Sequence, residues 1–399
     1  MSAEITSAER KPAIGPSRIG PGRKHGGRLL VLAHFIYTTR VGGAEHGFYN
    51  IIRGIGDHGV EVGLLCGARV RFDPQALIEL EALPAVRVIE AGGTAIRFVA
   101  EQRACLHSEL SADAVLFPNY YVPPHVPRRL GRVTVVVHDQ IHRHYPQYST
   151  ARRRAWLALS QAWAVRRADT VIVISRFVAD DLVRTFGSRV ERKLAIIPNP
   201  VSWERFGPPK DATPLDRPYI LSVAAHYPHK NLDTLVKAFA LRARRDKEVM
   251  LVLCGQSYTA LRGTTGGAGT LNQLLDSLEI PDRVIITGHV TDAALGRWYR
   301  HAAVFAFPSV FEGFGVPPVE ALGFQLPTLT TRCGSIPEAT LGLAQYVENP
   351  YSIDEWATRL EAILHDPASA RPTLADAARV RATYAPERLG PLYLNACGV

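Results

Sequence analysis

The chain has 399 residues, of which 47% are hydrophobic and 21% charged, a composition typical of soluble globular proteins. This length predicts two domains, and no apolar run reaches the roughly 18 residues of a membrane-spanning helix. The five cysteines are scattered and lack paired Cys or His spacing. This pattern predicts a reducing cytoplasmic compartment, with neither a disulfide framework nor structural zinc.

The formal net charge is +9, and much of the excess lies in the first half of the chain. Residues 1–27 are basic and rich in glycine and proline but lack an apolar segment, which predicts a disordered leader rather than a signal peptide. Further positive charge is clustered at Arg152, Arg153, Arg154, Arg166, Arg167, Arg184, Arg189, Arg192 and Lys193. Nucleic acid is disfavoured because no basic surface interleaved with aromatics is evident. Peripheral contact with an anionic membrane and a solvated arginine-rich face both remain open.

Residues 28–206 are predicted to form a doubly wound parallel sheet. A strand at 29–33 is followed by the turn V-G-G-A-E and a helix, as in nucleotide-binding sheets. The turn does not match G-x-G-x-x-G, which disfavours dinucleotide binding. Further strands are predicted at residues 60–66, 86–90, 114–117, 133–137, 170–174 and 194–197.

The strand at 133–137 ends in His138 and Asp139. Because the carboxyl ends of parallel strands border the ligand crevice, His138 can donate to a sugar hydroxyl or titrate near neutral pH. A core or capping role is the alternative for His138. Asp139 is predicted to orient the backbone or the histidine.

A helix rich in arginine, alanine and tryptophan is predicted at residues 151–167. Its indoles, Trp156 and Trp163, recur at helical spacing. This spacing predicts that both rings pack in the core rather than stack on bases.

The proline-rich stretch 207–217 predicts an interdomain linker, followed by a second domain over residues 218–373. This domain opens with a strand at 219–223, and the sequence K-N-L then begins an amphipathic helix at Lys230. A lysine at that place can reach a diphosphate as a point charge, and the alternative is an ordinary surface lysine.

Residues 307–338 read F-P-S-V-F-E-G-F-G-V-P-P-V-E-A-L-G-F-Q-L-P-T-L-T-T-R-C-G-S-I-P-E. An apolar strand at 303–307 leads into a turn with Gly313 and Gly315, and two prolines then allow a helix to begin. A second strand follows at 328–330. This order places the glycine loop at the carboxyl end of a strand, where open sheets bind ligands.

Two carboxylates, Glu312 on this loop and Glu320 in the first helical turn, are eight positions apart. The backbone N–H groups of Gly313, Phe314 and Gly315 lie near a helix N-terminus, which attracts anions. An anion site flanked by two carboxylates fits the two polyol ends of a nucleotide sugar. The alternative is that Glu320 only balances the helix dipole and Glu312 is solvated.

The run P-S-x-x-E-G-F-G-x-P-x-x-E-A with G-S-I-P-E resembles the donor-site signature of the group 1 retaining glycosyltransferases, which have the GT-B fold. Shorter segments, G-G-A-E, H-D, K-N-L and T-G-x-V, also resemble that family. The resemblance implies an α/β fold of two facing Rossmann-like domains, with residues 374–399 crossing back onto the first. It also implies that no cofactor or metal is required, and the absence of an Asp-x-Asp motif agrees.

The resemblance also implies roles for particular residues. Lys230 and the loop amides would stabilise the leaving nucleoside diphosphate, Glu320 would bind the ribose and Glu312 the donor sugar. His138 would contact that sugar near the reacting carbon, which makes His138, Lys230 and Glu312 the implied catalytic residues. Backbone contacts with the donor are implied at Gly288, Gly313, Phe314, Gly315 and Val316, and acceptor-side contacts at Gly42, Gly43 and Glu45.

Two departures from the family pattern are visible. Many relatives carry an arginine where this chain has Ala225 or His229, so we expect Lys230 to carry more of the diphosphate charge, with His229 partly replacing the lost cation. Gln325 stands where relatives usually have glycine. Because a left-handed turn is strained for a side chain with a Cβ, we expect the loop before Pro327 to be rebuilt.

The resemblance implies a retaining, metal-independent transferase that moves a sugar from a nucleoside diphosphate to a glycan or lipid-linked acceptor. Mannose from a GDP donor is favoured over UDP-sugars by the similarity to mannosyltransferases, and polysaccharide synthesis at the inner membrane face is the expected setting. Two other classes remain open: an enzyme that hydrolyses or phosphorolyses sugars, and a non-catalytic GT-B subunit that binds a partner transferase or a membrane.

Overall fold

The computed structural model describes residues 27–33, 43–56, 58–66, 74–90, 97–107, 110–119, 121–208, 212–255 and 268–399. Residues 1–26 of the predicted leader and Gly42 of the glycine turn lie outside these ranges, so the predictions made for them are not tested.

The described part of the first half alternates strands and helices. Its strands are β1 (Arg28–Leu32), β2 (Glu61–Cys66), β3 (Val86–Glu90), β4 (Ala114–Phe117), β5 (Arg132–Val137), β6 (Thr170–Val173) and β7 (Leu194–Ile196). Its helices are α1 (Gly43–Ile55), α2 (Pro74–Glu81), α3 (Arg97–Leu106), α4 (Ile141–His144), α5 (Ala151–Arg167) and α6 (Arg176–Phe186). The strands pair in parallel in the order β3-β2-β1-β4-β5-β6-β7.

The second half repeats this plan. Its strands are β8 (Tyr219–Val223), β9 (Met250–Cys254), β10 (Val284–Gly288), β11 (Val304–Phe307), β12 (Thr328–Thr331) and β13 (Gln345–Val347). Its helices are α7 (Leu232–Ala243), α8 (Ala268–Ser277), α9 (Asp292–His301), α10 (Val316–Gly323), α11 (Ile336–Ala339), α12 (Ile353–His365), α13 (Pro367–Ala370), α14 (Leu374–Tyr384) and α15 (Pro386–Cys397). These strands are also parallel, in the order β10-β9-β8-β11-β12-β13.

Both sheets are covered on two faces, and their strands are accordingly short apolar runs. All four residues of β4 and of β11 are buried, as expected when helices pack on both sides of a parallel sheet. The strand order reverses between β1 and β4 in the first sheet and between β8 and β11 in the second. The prediction of two doubly wound α/β domains is therefore confirmed, and each domain has a switch point where ligands bind in this kind of sheet.

The C-terminal helices connect the two domains. Helix α14 packs against α10 in the second domain, whereas α15 packs against α1 and the strands β4, β5 and β6 of the first. A Cβ on Gly390 would lie 1.8 Å from the carbonyl oxygen of Gly54, so this close helix contact requires glycine at that position. The end of the chain thus lies on the first domain.

Helix α5 contradicts the prediction made for its tryptophans. Trp156 is 50% exposed and Trp163 is 41% exposed, and the buried side of α5 consists of Gln161, Ala164 and Val165. Helical spacing placed the two indoles correctly on one face, but that face is turned towards solvent. The expected core packing of these rings is wrong.

Gln325 adopts the left-handed conformation, with φ of 57°. The Gln325 side-chain amide donates to the carbonyl of Pro372 at 3.3 Å, and the Arg371 guanidinium donates to the Gln325 carbonyl at 3.3 Å. The expected rebuilding of this loop is therefore wrong. Gln325 takes the strained left-handed conformation instead, because two local contacts hold it where glycine would adopt that conformation freely.

Candidate active site at the interface of the two domains

Lys230 and Glu312 meet at the switch point of the second sheet. Lys230 follows β8 and Glu312 follows β11, the two strands on either side of the point where the strand order reverses. The Lys230 Nζ atom lies 2.6 Å from Glu312 Oε1, and the two side chains are 18% and 12% exposed. Parallel topology therefore brings together two opposite charges that are 82 residues apart in the chain.

The glycine loop touches the first domain directly. A Cβ on Gly313 would lie 2.0 Å from the carbonyl oxygen of His138, so only glycine allows this approach. The hydroxyl of Ser175, which also caps α6, donates to the Gly313 carbonyl at 2.7 Å. Gly315 has φ of 94° and immediately precedes α10. The loop that carries Glu312 is thus held against the end of β5.

The imidazole ring of His138 is held in place by a hydrogen bond next to the contact with Gly313. Its Nε2–H donates to the carbonyl of Pro118 at 2.9 Å. Burial lowers the pKa of His138, opposed by the Pro118 carbonyl and by the charges of Asp139 and Glu45. The neutral ring is therefore favoured near pH 7, and its titration shifts to more acidic pH than expected. Asp139 accepts from the backbone N–H of Ile141 at 2.9 Å, which confirms its predicted role in orienting the backbone.

Glu320 lies in the second turn of α10, not in its first turn as predicted, because the helix begins at Val316. Its side chain is 3% exposed. The Arg205 guanidinium lies 2.5 Å from Oε1, and the Tyr299 hydroxyl donates to Oε2 at 2.9 Å. Burial raises the pKa of Glu320, while Arg205 and Tyr299 act against that shift. Glu320 is therefore a buried, paired carboxylate and not a solvent-exposed balance for a helix dipole.

Arg205 connects Glu320 to two further groups. It lies 2.5 Å from Asp292 Oδ1 at the start of α9 and 2.9 Å from His46 Nε2 on α1. Its guanidinium also stacks 4.2 Å above the ring of Phe206. Burial opposes the charge of Arg205, but the carboxylates of Glu320 and Asp292 outweigh it and raise the pKa of the guanidinium. Arg205 thus connects the start of α1 to helices α9 and α10 of the second domain.

His229 does not supply the positive charge expected of it. It is 5% exposed, and its Nδ1 atom accepts from the hydroxyl of Tyr148 at 2.7 Å, across the domain interface. Burial, with a smaller effect of the neighbouring Lys230 charge, lowers the pKa of His229 to about 3. The ring is therefore neutral near pH 7, and Lys230 is the cation at this position.

The remaining predicted donor contacts lie at or after the ends of strands of the second sheet, as Lys230 and Glu312 do. Gly288 ends β10 with φ of 67°, and a Cβ there would meet no other atom within 4 Å. The ring of Phe314 is buried against Tyr384 of α14, so only its backbone faces the loop, and Val316 is the first residue of α10.

The predicted acceptor side is described only in part. Gly43 begins α1, and Glu45 lies near enough to His138 to influence its pKa. Gly42 belongs to the undescribed segment. The start of α1 therefore borders both His138, through Glu45, and Arg205, through His46.

Three residues of the site were not predicted as functional. Arg205, Tyr148 and Tyr299 belong to no recognised motif. A signal for Arg205 existed, because a lone arginine before the linker has to reach some carboxylate if it is buried. Its partner could not be chosen from the sequence alone.

Two doubly wound parallel sheets that meet at a glycine loop and at oppositely charged side chains form the class of α/β fold whose ligand crevice lies at the carboxyl ends of the strands. Two family models match this chain almost end to end: "Glycosyltransferase Family 4" over residues 41–205 and "Glycosyl transferases group 1" over residues 205–381. The chain belongs to the group 1 glycosyltransferases.

Individual relatives agree at modest identity. The chain is 27% identical over 234 residues to the O-antigen chain mannosyltransferase RfbU of Salmonella typhimurium, a match that covers 59% of this chain and 61% of RfbU. It is 30% identical over 223 residues to the serotype-specific mannosyltransferase WbdA of Escherichia coli, covering 53% of this chain and 26% of WbdA. The matches therefore span less than two thirds of these relatives' own length.

Solved structures share the fold over the full length. Sucrose-phosphate synthase from Thermosynechococcus elongatus has a TM-score of 0.70 at 20% identity, covering 92% of this chain and 98% of that chain. HepE of Anabaena in complex with UDP-glucose has a TM-score of 0.64 at 18% identity, covering 92% and 97%. At such identities the similarity concerns the fold alone. Within the described residues, none of the helices combines the length and apolar character needed to cross a bilayer.

Proposed function

We propose that this chain is a retaining glycosyltransferase that transfers a sugar from a nucleoside diphosphate to a glycan or lipid-linked acceptor. The observation that carries the proposal is the 2.6 Å contact between Lys230 and Glu312 at the switch point, beside His138. A cation and a carboxylate at this point suit the two ends of one ligand, its diphosphate and its sugar hydroxyls.

Donor binding would exchange partners within this pair. Lys230 would turn its charge towards the diphosphate and stabilise the leaving group, and Glu312 would accept from the donor sugar. Glu320 would accept from the ribose, since a carboxylate has about four lone-pair positions and Arg205 and Tyr299 use two of them. His138, neutral and held by Pro118, would line the sugar site.

Mannose from a GDP donor is the favoured substrate. The mannosyltransferase relatives support mannose, whereas the UDP-glucose bound to HepE keeps UDP-sugars in consideration. The missing Asp-x-Asp motif supports a reaction without metal. The setting we propose is glycan synthesis in the cytoplasm, at the membrane surface.

The first test is thermal stabilisation of the full chain by GDP, UDP, ADP and their sugars, because a bound ligand raises the melting temperature by mass action. GDP or GDP-mannose alone should raise it, and Lys230→Ala should lose the shift whereas the exposed control Lys237→Ala should keep it. A response to UDP compounds alone would refute only the choice of donor. If no nucleotide stabilises the chain, the non-catalytic GT-B subunit replaces the transferase.

Stereochemistry is tested separately. With the matching donor and a panel of lipid-linked and oligosaccharide acceptors, the anomeric configuration of the product is read by proton NMR. Retention of the donor's configuration is expected, and inversion would overturn the retaining assignment. Turnover in the presence of a chelator tests the metal-independent part of the proposal.

A further inference from the structure

Helix α5 carries five exposed side chains along one face. Arg152, Trp156, Leu159, Trp163 and Arg166 follow each other at spacings of four, three, four and three residues and are all exposed. The three apolar side chains in the middle are 50%, 71% and 41% exposed, respectively. We call this row the α5 stripe. With a rise of about 1.5 Å per residue, the stripe is about 21 Å long.

The stripe is held in a defined orientation. On the opposite side of the helix, Gln161, Ala164 and Val165 are buried. The Trp156 ring stacks on Tyr121 with 5.7 Å between centroids, and Trp163 donates to the Pro123 carbonyl at 3.4 Å. Trp156 is therefore anchored by ring stacking and Trp163 by its indole N–H, while each side chain remains 41% or more exposed. A contiguous exposed apolar row with such support indicates an interaction surface.

The charged side chains of α5 are all positive. Helix α5 contains five arginines and no acidic residue. Arg154 donates to the carbonyls of Pro146 and Ser149. Among the described residues, no carboxylate forms an ion pair with Arg152 or Arg166 at the two ends of the stripe. The surface is apolar in the middle and cationic at both ends.

We propose that the α5 stripe lies on an anionic lipid surface. Tryptophan is suited to the boundary between headgroups and acyl chains, leucine enters the apolar side, and flanking arginines meet anionic headgroups. A second copy of the chain fits this surface poorly. Pairing of two stripes in either direction would set arginine against arginine, and the helix offers no acid to compensate. Nucleic acid fits poorly as well, since Leu159, the most exposed of the three apolar side chains, cannot hydrogen-bond or stack.

The position of α5 near the candidate active site also favours a membrane as the partner of the stripe. The helix begins just after Tyr148, whose hydroxyl is bonded to His229 at the domain interface. The Arg152 end of the stripe is therefore close to the candidate active site, where an acceptor held in the membrane would arrive. Membrane docking itself does not depend on the proposed transfer reaction.

The test uses the full chain with vesicles of phosphatidylcholine, with and without phosphatidylglycerol. We expect sedimentation with the anionic vesicles only, weakened by salt, together with a blue shift of tryptophan fluorescence. The triple variant Trp156→Ser, Leu159→Ser, Trp163→Ser should reduce the bound fraction roughly tenfold or more, and Arg152→Gln with Arg166→Gln should weaken it less. The matched controls Ile78→Ser with Leu374→Ser, and Arg189→Gln with Arg244→Gln, replace other exposed side chains and should bind as the unaltered chain does.

Each alternative has its own outcome. Equal vesicle binding by the triple variant and the unaltered chain would overturn the proposal. If the unaltered chain binds no vesicles and the triple variant changes it from dimer to monomer on sedimentation velocity, the stripe belongs to a second copy and the proposal is overturned. Binding of single-stranded RNA in place of vesicles would overturn it as well. The nucleotide-induced thermal shift of the triple variant should equal that of the unaltered chain, so failure of docking and failure of the proposed transfer are read separately.

Discussion

Glu312 and Glu320 belong to one loop-and-helix segment, yet their carboxylates have very different surroundings. Glu312 is 12% exposed and has one charged partner, Lys230, at the edge of the cleft. Glu320 is 3% exposed, and both of its oxygens are bonded, one to Arg205 and the other to Tyr299. A pair at a solvent-accessible edge can exchange its partner for a ligand at small cost. A buried pair cannot lose a member without leaving an uncompensated charge.

The comparison separates two roles that the motif alone does not distinguish. Glu312 with Lys230 is the pair that we propose exchanges partners with an incoming charged ligand. Glu320 with Arg205 additionally holds the two domains together, because Arg205 comes from the end of the first family-matched region and also contacts His46 of α1. Substitutions in the first pair should therefore affect turnover most, and substitutions in the second should affect stability most.

The largest expected effect on stability comes from Arg205→Met. It keeps the volume of the side chain but leaves Glu320 buried without its cation, which should lower the free energy of unfolding by about 3–5 kcal/mol. Urea unfolding followed by circular dichroism measures this loss. The double variant Arg205→Met, Glu320→Gln should recover most of it, and the exposed control Arg244→Met should change little. A loss below about 1 kcal/mol would show that the buried pair is not structural.

The corresponding change in the first pair is Lys230→Ala. Turnover with the donor identified by the thermal panel should fall by about 100- to 1,000-fold, because a preorganised charge on the leaving diphosphate is lost. The loss of stability should be smaller than for Arg205→Met, since Lys230 and Glu312 are both partly exposed. Steady-state kinetics with Lys237→Ala as the matched control measures the difference. Full activity of Lys230→Ala would remove this lysine from the catalytic residues.

The pairing of Lys230 with Glu312 could be predicted because it follows from topology. Apolar strand runs predict two parallel sheets, and residues after strands on either side of a switch point share one edge. The neutral His229 and the buried role of Arg205 could not be predicted. Their partners, Tyr148 and Glu320, come from distant elements, and nothing in local periodicity indicates which polar groups a domain interface will bury.

The α5 stripe illustrates a second limit. The 3.6-residue period shows that Trp156 and Trp163 share a face, but it does not say whether that face meets the sheet or solvent. In α5 the side that packs is short and contains Gln161 beside two small or branched residues, Ala164 and Val165. The prediction of core packing rested on this spacing alone, and it was wrong.

The burial of His229 beside Lys230 makes the free energy of unfolding depend on pH. This dependence tests how closely the two domains are packed where His229 contacts Tyr148. In the unfolded chain the pKa of His229 is near 6.5, whereas burial lowers it to about 3 in the folded chain. Between these values the unfolded state binds more protons, so stability is fully present above about pH 6.5 and falls as the pH is lowered. At about pH 5 one such histidine accounts for about 2 kcal/mol of lost stability.

The variant His229→Gln removes this titration while leaving an acceptor for Tyr148. Urea midpoints of the variant and the unaltered chain should therefore converge as the pH falls from neutral to about 5. The control His365→Gln, on the exposed end of α12, should leave the pH profile unchanged. Parallel profiles for His229→Gln and the unaltered chain would mean that folding leaves the pKa of His229 unchanged.

The smallest effect is expected at Gln325, in the turn between α10 and β12. Its left-handed backbone costs about 1–2 kcal/mol for a side chain with a Cβ. Gln325→Gly removes that cost but adds flexibility to the unfolded chain and loses the contact with Pro372, so the net change should stay within about 1 kcal/mol. Gln325→Val, with a branched Cβ, should instead destabilise by about 1–3 kcal/mol. Equal stability of the glycine and valine variants would mean that the turn relaxes out of the left-handed region. Because α10 carries Glu320 and ends at Gly323, such a relaxation would also appear as weaker nucleotide binding.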